Sequence, residues 1–169
     1  QIKQGKIQKP LSIVGHNKAP ANVATRLFGI NKWANENNFD ITINLHFDDE
    51  NSHRRNVPGR YSGFTIYQPA PQYDNAVRSG QLAANILSRL KEVSAPSNLP
   101  GHNGGIVDEP KLIAIGENNT SNAASLVIEY GFIYEKKFTD PKLRKKTLEE
   151  LAFATYQALE DYRLQMAAN

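Results

Sequence analysis

Residues 123–132 read AASLVIEYGF, an apolar run that is interrupted by a single carboxylate. A strand that is apolar at every position, and not at alternate positions, is typical of a sheet interior that is covered on both faces. The run therefore predicts a central strand over 124–129. This strand is predicted to end on Glu129, so that a carboxyl group loses solvation at the C-terminal end of the strand.

A second strand is predicted upstream, where residues 40–48 read DITINLHFD. Apolar and polar side chains alternate strictly from Ile41 to His46, and this period of two is typical of a strand with two different faces. His46 shares its face with Thr42 and Asn44. It falls at the C-terminal end of the strand, as Glu129 does.

The remaining elements follow from turn residues and apolar spacing. Further strands are predicted at 11–14, 62–68 and 111–115, and loops at 47–61 and 94–110. Helices are predicted at 21–37, from Asp74 or Asn75 to about Glu92, and from Asp140-Pro141 to about Met166. Strands that alternate with helices indicate an α/β fold, with a twisted, mostly parallel or mixed sheet flanked by helices.

The apolar spacing also predicts the buried face of each helix. The first helix is expected to bury Val23, Leu27, Ile30, Trp33 and Ala34. The second is expected to bury Leu82, Ala83, Ile86, Leu87 and Leu90. The third is expected to bury Leu148, Leu151, Ala152, Thr155, Leu159 and Tyr162.

Length and composition limit the classes of protein. The 169 residues, 40% of them hydrophobic, suit a single domain over 1–169, with 1–10 as a flexible segment. No apolar run approaches the ~20 residues of a membrane span. There is no cysteine, and the net charge is only +3, with basic clusters that are flanked by acids. These features argue against a thiolate metal site, a membrane protein and a nucleic-acid binder.

Two residues carry the candidate chemistry. His46 is followed by Phe47-Asp48-Asp49, an acidic setting in which a neutral imidazole binds a metal ion or merely hydrogen-bonds its loop. Burial should raise the pKa of Glu129, which suits a general acid/base, although a structural carboxylate paired with Lys or Arg is the alternative. Active sites of α/β sheets lie at the C-terminal strand ends, so the two side chains are expected to converge there.

Other polar and aromatic residues are given structural interpretations. His53 and His102 lie in predicted loops and are expected to be solvated. Glu36 and Asp40 are expected to be a solvated helix end and a strand start, rather than metal ligands. The aromatic residues of the predicted strands are expected to be core and not a sugar-stacking platform: Phe64, Tyr67, Tyr130 and Phe132.

These motifs, in this order, resemble the zinc-dependent N-acetylmuramoyl-L-alanine amidases. Residues 40–48 resemble that family's histidine strand, 62–67 the strand after it, and 126–133 its catalytic motif, an apolar strand with glutamate, one residue and Gly-Phe. The helix at 26–35, with Ala34-Asn35, also matches. The resemblance implies a Zn²⁺ cofactor held by His46, with Glu129 as acid/base. It further implies hydrolysis of the muramic acid–L-alanine amide of peptidoglycan, in the bacterial cell envelope or after secretion.

The resemblance is incomplete at its N-terminal side. The family also binds zinc through a histidine after its first strand and a glutamate on its first helix. Gly15-His16 resembles the histidine motif, but too few residues separate His16 from His46 for the usual intervening elements. The chain does not begin with Met, and the simplest expectation is that both ligands lie upstream of Gln1 in the same gene product. A rearranged site that uses His16 is the alternative.

Two other functions remain open from the sequence. One is a catalytically inactive peptidoglycan-binding module that keeps the fold. The other is a zinc amidohydrolase or peptidase that acts on soluble peptides. No substrate-binding residue is predicted.

Overall fold

The computed structural model describes residues 20–49, 57–102, 104–115 and 122–168, and the statements below concern these residues. The predicted strand at 11–14, the segment 1–10, His16 and His53 lie outside them. In chain order the elements are α1 (Ala21–Glu36), β1 (Ile41–Asp48), β2 (Thr65–Gln68), α2 (Ala76–Val93), β3 (Ile106–Asp108), β4 (Ala124–Phe132), α3 (Lys136–Thr139) and α4 (Pro141–Ala167).

The four strands form one mixed sheet in the order β1-β4-β2-β3, flanked by helices. The predicted α/β class is confirmed, and so is the central place of β4, which has a strand on each side. Every residue of β4 is buried except Glu129, which is half-buried. The apolar run therefore forms the middle of the sheet, and its one carboxyl group is the point where solvent reaches the strand.

Several strand predictions need correction. The strand β2 begins at Thr65, and β4 continues to Phe132, so Glu129 lies inside its strand and not at the end. The strand β1 continues to Asp48, so Phe47 and Asp48 are not in the loop that follows. The predicted loop at 94–110 contains β3. Just before β3, Gly105 C=O accepts a hydrogen bond from Ile66 N–H of β2 (2.8 Å). No strand forms at 111–115. A turn bond from Ile115 N–H to Leu112 C=O (3.1 Å) replaces it, although Ile115 is fully buried.

The helices bury partly different faces from those predicted. In α2 the predicted stripe is confirmed, because Leu82, Ile86 and Leu90 are all completely buried. In α1 the prediction is wrong at three positions, which are exposed: Val23, Ile30 and Trp33. That helix buries Ala34, as predicted, together with Phe28 and Asn31, which were not predicted. In α4, Leu148 and Ala152 are exposed, and the small residues Ala154 and Ala158 are buried in their place.

The chain divides into two compact units, 1–44 with 67–80 and 108–127, and 45–66 with 81–107 and 128–169. The first is tied internally by buried amides, since Asn31 Nδ2 donates to Ile113 C=O (2.7 Å) and Asn75 Nδ2 to Ala123 C=O (2.8 Å). The second contains His46 and Glu129. None of the described helices has the length and apolar content needed to cross a membrane.

Candidate functional site

Packing behind the sheet fixes the direction of Glu129. Its neighbour Tyr130 is buried, and the Tyr130 hydroxyl hydrogen-bonds the Thr155 hydroxyl of α4 at 2.7 Å. Because successive side chains of a strand point to opposite faces, Glu129 lies on the face away from α4. The hydrogen bond between Tyr130 and Thr155 therefore determines the face of the sheet on which Glu129 lies.

The same alternation places His46 beside Glu129. Phe47 packs against Tyr130 and Phe138, with ring centroids 6.0 and 4.9 Å apart, on the α4 face of the sheet. His46 and Asp48 consequently lie on the opposite face, with Glu129. His46 Nδ1 is 3.6 Å from Glu129 Oε1, so the structure brings the two predicted residues together. The His46 side chain is 56% exposed and that of Glu129 only 16%, so the imidazole forms the outer part of the pair.

Burial sets the protonation of Glu129. Loss of solvation, together with the nearby negative charge of Asp48, raises the pKa of Glu129 to about 7. Within the described part of the chain, Oε2 of this carboxyl is buried and has no hydrogen-bond partner. Its ion-pair neighbour there is His46, and not the Lys or Arg of a structural carboxylate. A carboxyl with a pKa near neutrality can both accept and return a proton.

The second position after Glu129 requires a glycine. Gly131 has a φ of 149°, and a Cβ placed there would collide with the Glu135 carboxylate. Glu135 Oε1 accepts hydrogen bonds from the backbone N–H groups of Phe132 (2.8 Å) and Gly63 (3.1 Å). It thereby ties the end of β4 to the chain that leads into β2. The Glu-x-Gly-Phe pattern thus has a structural explanation in this chain.

The described residues offer only part of a zinc site. An imidazole and carboxylates are ligands that zinc accepts, so the residues fit in kind. They do not fit in number, because the described residues contain no group of three or more His, Asp or Glu side chains placed to hold one ion. Of the two predicted histidine ligands, His46 is at the site, whereas His16 lies outside the described residues.

The structure corrects the interpretation of one further histidine, His102. His102 was expected to be solvated, but its Nδ1 is 3.2 Å from the hydroxyl of the buried Thr65, and its ring is half-buried. Burial lowers the pKa of His102, and the charge of Asp48 partly opposes this. The Gly-, Pro- and Asn-rich composition around His102 gave no sign that the segment packs on a strand.

The remaining structural interpretations hold for the residues that can be seen. Glu36 is exposed and paired with Lys32, and Asp40 is exposed at the start of β1. Phe64, Tyr130 and Phe132 are buried, and Tyr67 is half-buried, so these aromatic side chains belong to the core.

The fold is similar to that of solved amidase structures. The apo form of the N-acetylmuramyl-L-alanine amidase Ami1 from Mycobacterium abscessus matches with a TM-score of 0.61 and 17% identity, over 80% of this chain and 60% of that one. Ami1 from Mycobacterium smegmatis matches with a TM-score of 0.63 and 15% identity, over 80% and 59%. The CwlD amidase from Clostridioides difficile, solved with the GerS lipoprotein, matches with a TM-score of 0.61 and 17% identity, over 96% and 73%.

These likenesses show that the chain has the fold of the N-acetylmuramoyl-L-alanine amidases, as its motifs predict. The chain spans about three fifths of the length of each Ami1 structure. No protein-family model matches the sequence, and no curated protein matches it either.

Proposed function

We propose that this protein hydrolyses the amide bond between N-acetylmuramic acid and L-alanine in bacterial peptidoglycan. One observation carries the proposal: a buried carboxyl with a pKa of about 7, Glu129, lies 3.6 Å from an exposed imidazole, His46, in an amidase fold. An amide is a poor electrophile and water a poor nucleophile, so the reaction needs a group that moves protons near neutral pH. Glu129 has the environment of such a group.

The proposed step uses Glu129 twice. Its ionised carboxylate takes one proton from a water molecule, whose oxygen attacks the carbonyl carbon of the lactyl group. The carbon–nitrogen bond then breaks, and the same proton passes from Glu129 to the nitrogen of L-alanine. The products are the lactyl carboxylic acid on the glycan, which releases the second proton of the water molecule to solvent, and a peptide with a free amino terminus, and Glu129 is ionised again.

Zinc is part of the proposal, with His46 as one ligand. A bound zinc ion would supply Lewis-acid chemistry, which makes water more acidic and the scissile carbonyl more electrophilic. His46 would hold it through its imidazole, whose Nδ1 lies 3.6 Å from Glu129 Oε1. The other ligands would come from outside the described residues, and His16 is the candidate that this chain contains.

Peptidoglycan as substrate places the protein at the cell envelope or outside the cell. The test is digestion of purified sacculi by the complete, zinc-supplemented enzyme, followed by labelling of new amino termini and mass spectrometry. The proposal expects new N-terminal L-alanine and intact glycan strands. Binding to sacculi without release of peptide would instead support the inactive wall-binding module. Cleavage of soluble peptides alone would support a peptidase.

A further inference from the structure

The backbone of Glu135 is fixed on both sides in the turn that follows β4. Its N–H group donates to Phe132 C=O (2.9 Å), and its C=O group accepts from Phe138 N–H (2.8 Å) of the short helix α3. Phe138 is itself buried, so the turn is packed as well as hydrogen-bonded. The side chain of Glu135 therefore leaves the backbone from a defined place, next to the last residues of β4.

The side chain of Glu135 turns back over the end of β4. Its Oε1 atom accepts hydrogen bonds from Phe132 N–H (2.8 Å) and from Gly63 N–H (3.1 Å), and only 12% of the side chain is exposed. It also lies directly on Gly131, where a Cβ atom would collide with Oε1. Because a buried N–H group that loses its acceptor costs free energy, these contacts hold Gly131 and Phe132 in one arrangement.

The same end of β4 is bonded to β1, the strand of His46. Ile133 N–H donates to Asp48 C=O (2.9 Å), and Ile133 directly follows the residue whose N–H group Glu135 holds. Glu129 and His46 stand a few residues earlier on the same two strands. The side chain of Glu135 thus holds the chain next to the bond that joins these strands. The 3.6 Å approach of His46 Nδ1 to Glu129 Oε1 depends on how the two strands are joined.

We propose that Glu135 is a positioning residue for the acid/base Glu129. By holding Gly131 and Phe132, its carboxylate fixes the direction in which β4 presents the Glu129 carboxyl to the scissile amide. This inference rests on the proposed amidase reaction. Glu135 itself exchanges no proton. Its effect on the rate is nevertheless large, because a displacement of a reacting group by about 1 Å is enough to cost about 10²-fold.

The kinetic test compares three substitutions of Glu135 in the complete, zinc-supplemented enzyme on a soluble muropeptide. Glu135→Ala removes the acceptor and should lower kcat about 10–10²-fold, with KM changed less than about threefold. Glu135→Gln keeps an acceptor oxygen at the same reach and should stay within about threefold of the wild-type kcat. Glu135→Asp keeps the charge on a side chain that is one methylene shorter, so its kcat should be lower than that of Glu135→Gln.

Two controls separate positioning from stability and from charge. Ile86→Ala opens a cavity in the core, and it should lower the thermal midpoint without a matching fall in kcat. Lys137→Ala removes the partner of Glu135 Oε2 (3.2 Å) and leaves Oε1 able to accept both backbone bonds, so kcat should stay within about threefold of the wild type. The zinc content of every variant should match that of the wild type, because none of them alters His46.

Amide hydrogen exchange gives a second measurement that is independent of turnover. The Phe132 and Gly63 amides should exchange faster in Glu135→Ala than in the wild type, and at close to the wild-type rate in Glu135→Gln. Unchanged exchange in Glu135→Ala would overturn the inference. So would a loss of zinc, a change in KM alone, or a kcat for Glu135→Asp above that of Glu135→Gln.

The comparison of the Gln and Asp variants also decides the matter if Glu135→Ala does not fold, because both keep an acceptor oxygen. If the complete wild-type enzyme releases no peptide, the amidase proposal fails and this inference fails with it. If the wild type is active and Glu135→Ala is equally active, only this inference fails.

Discussion

At the scale of single residues, the site depends on how far the sheet buries the carboxyl group of Glu129. Glu129 is the half-buried position of an otherwise buried strand, and burial is the larger of the two causes that raise its pKa to about 7. The Asp48 charge is the smaller cause. An ordinary surface glutamate would be ionised throughout the neutral range and would be a poor proton donor to a leaving amine. The position in β4 therefore supplies the chemistry that the side chain alone lacks.

The activity of the complete enzyme should follow the ionisation of Glu129. As a base the carboxyl must be ionised, so kcat/KM should fall as the pH drops below about 7. Asp48→Asn removes a charge that raises this pKa, and the acid side of the profile should move to lower pH. The move should be small, because burial remains. A pH–rate profile of both proteins measures it, and a shift to higher pH would contradict the assignment.

The ionisation of Glu129 should also make the free energy of unfolding depend on pH, in a direction that its pKa determines. The usual pKa of this carboxyl is 4.5, and its folded-state value is about 7, so the folded state holds the proton more tightly. Its stabilising contribution is complete below pH 4.5 and is lost as the pH rises through 7. The loss should be about 2 kcal/mol, allowing for partial exposure.

Urea unfolding at pH 5 and pH 8 measures this contribution. The free energy of unfolding of the wild type should fall between the two pH values by more than that of Glu129→Gln, which has no proton to lose. Equal falls in the two proteins would show that Glu129 does not titrate in this range.

At the scale of the elements, the helices show how far apolar spacing predicts burial. The α2 stripe of Leu82, Ile86 and Leu90 is wholly apolar, and it is completely buried. In α1 the buried face includes a polar residue, Asn31, whose amide bonds Ile113 C=O, while Ile30 is 52% exposed. Apolar spacing cannot locate a face that is held by a buried amide, because that face does not look hydrophobic.

A matched pair of substitutions checks the two faces. Ile86→Ala should lower the free energy of unfolding by about 2–5 kcal/mol, because it leaves a cavity in the core. Ile30→Ala should change it by no more than about 0.5 kcal/mol, because the side chain is already exposed. Denaturant unfolding followed by circular dichroism compares the two variants. A similar cost for both would mean that the α1 face packs as the sequence alone predicts.

At the scale of the whole molecule, the sequence predicted the sheet better than its surroundings. β1 and β4 were found because their side chains alternate or are apolar throughout, and the convergence of His46 and Glu129 followed from that geometry. β3 was missed because three residues in a Gly- and Pro-rich stretch show no period. The prediction of a strand at 111–115 was wrong, because a turn can also bury isoleucines at alternate positions. The burial of His102 could not be predicted, since it depends on contact with Thr65 of a distant strand.

The zinc content of the purified chain separates the two predicted sources of ligands. His46 is the ligand assigned among the described residues, and stable sites need three or four protein ligands. We therefore expect well below one zinc per chain by elemental analysis. Near-stoichiometric zinc that is lost in His16→Ala would favour the rearranged site with His16. Zinc retained in both His16→Ala and His46→Ala would place the metal elsewhere.

The most direct test of the central claim is peptide release from sacculi by Glu129→Gln, under conditions in which the complete wild-type enzyme is active. Glutamine keeps the size of the side chain but cannot take the proton. Release should therefore fall about 10²–10⁴-fold, with fold and zinc content unchanged. His46→Ala, the companion variant, should lose zinc and activity together. Release by Glu129→Gln at close to the wild-type rate would contradict the account, since the carboxyl would not be the acid/base.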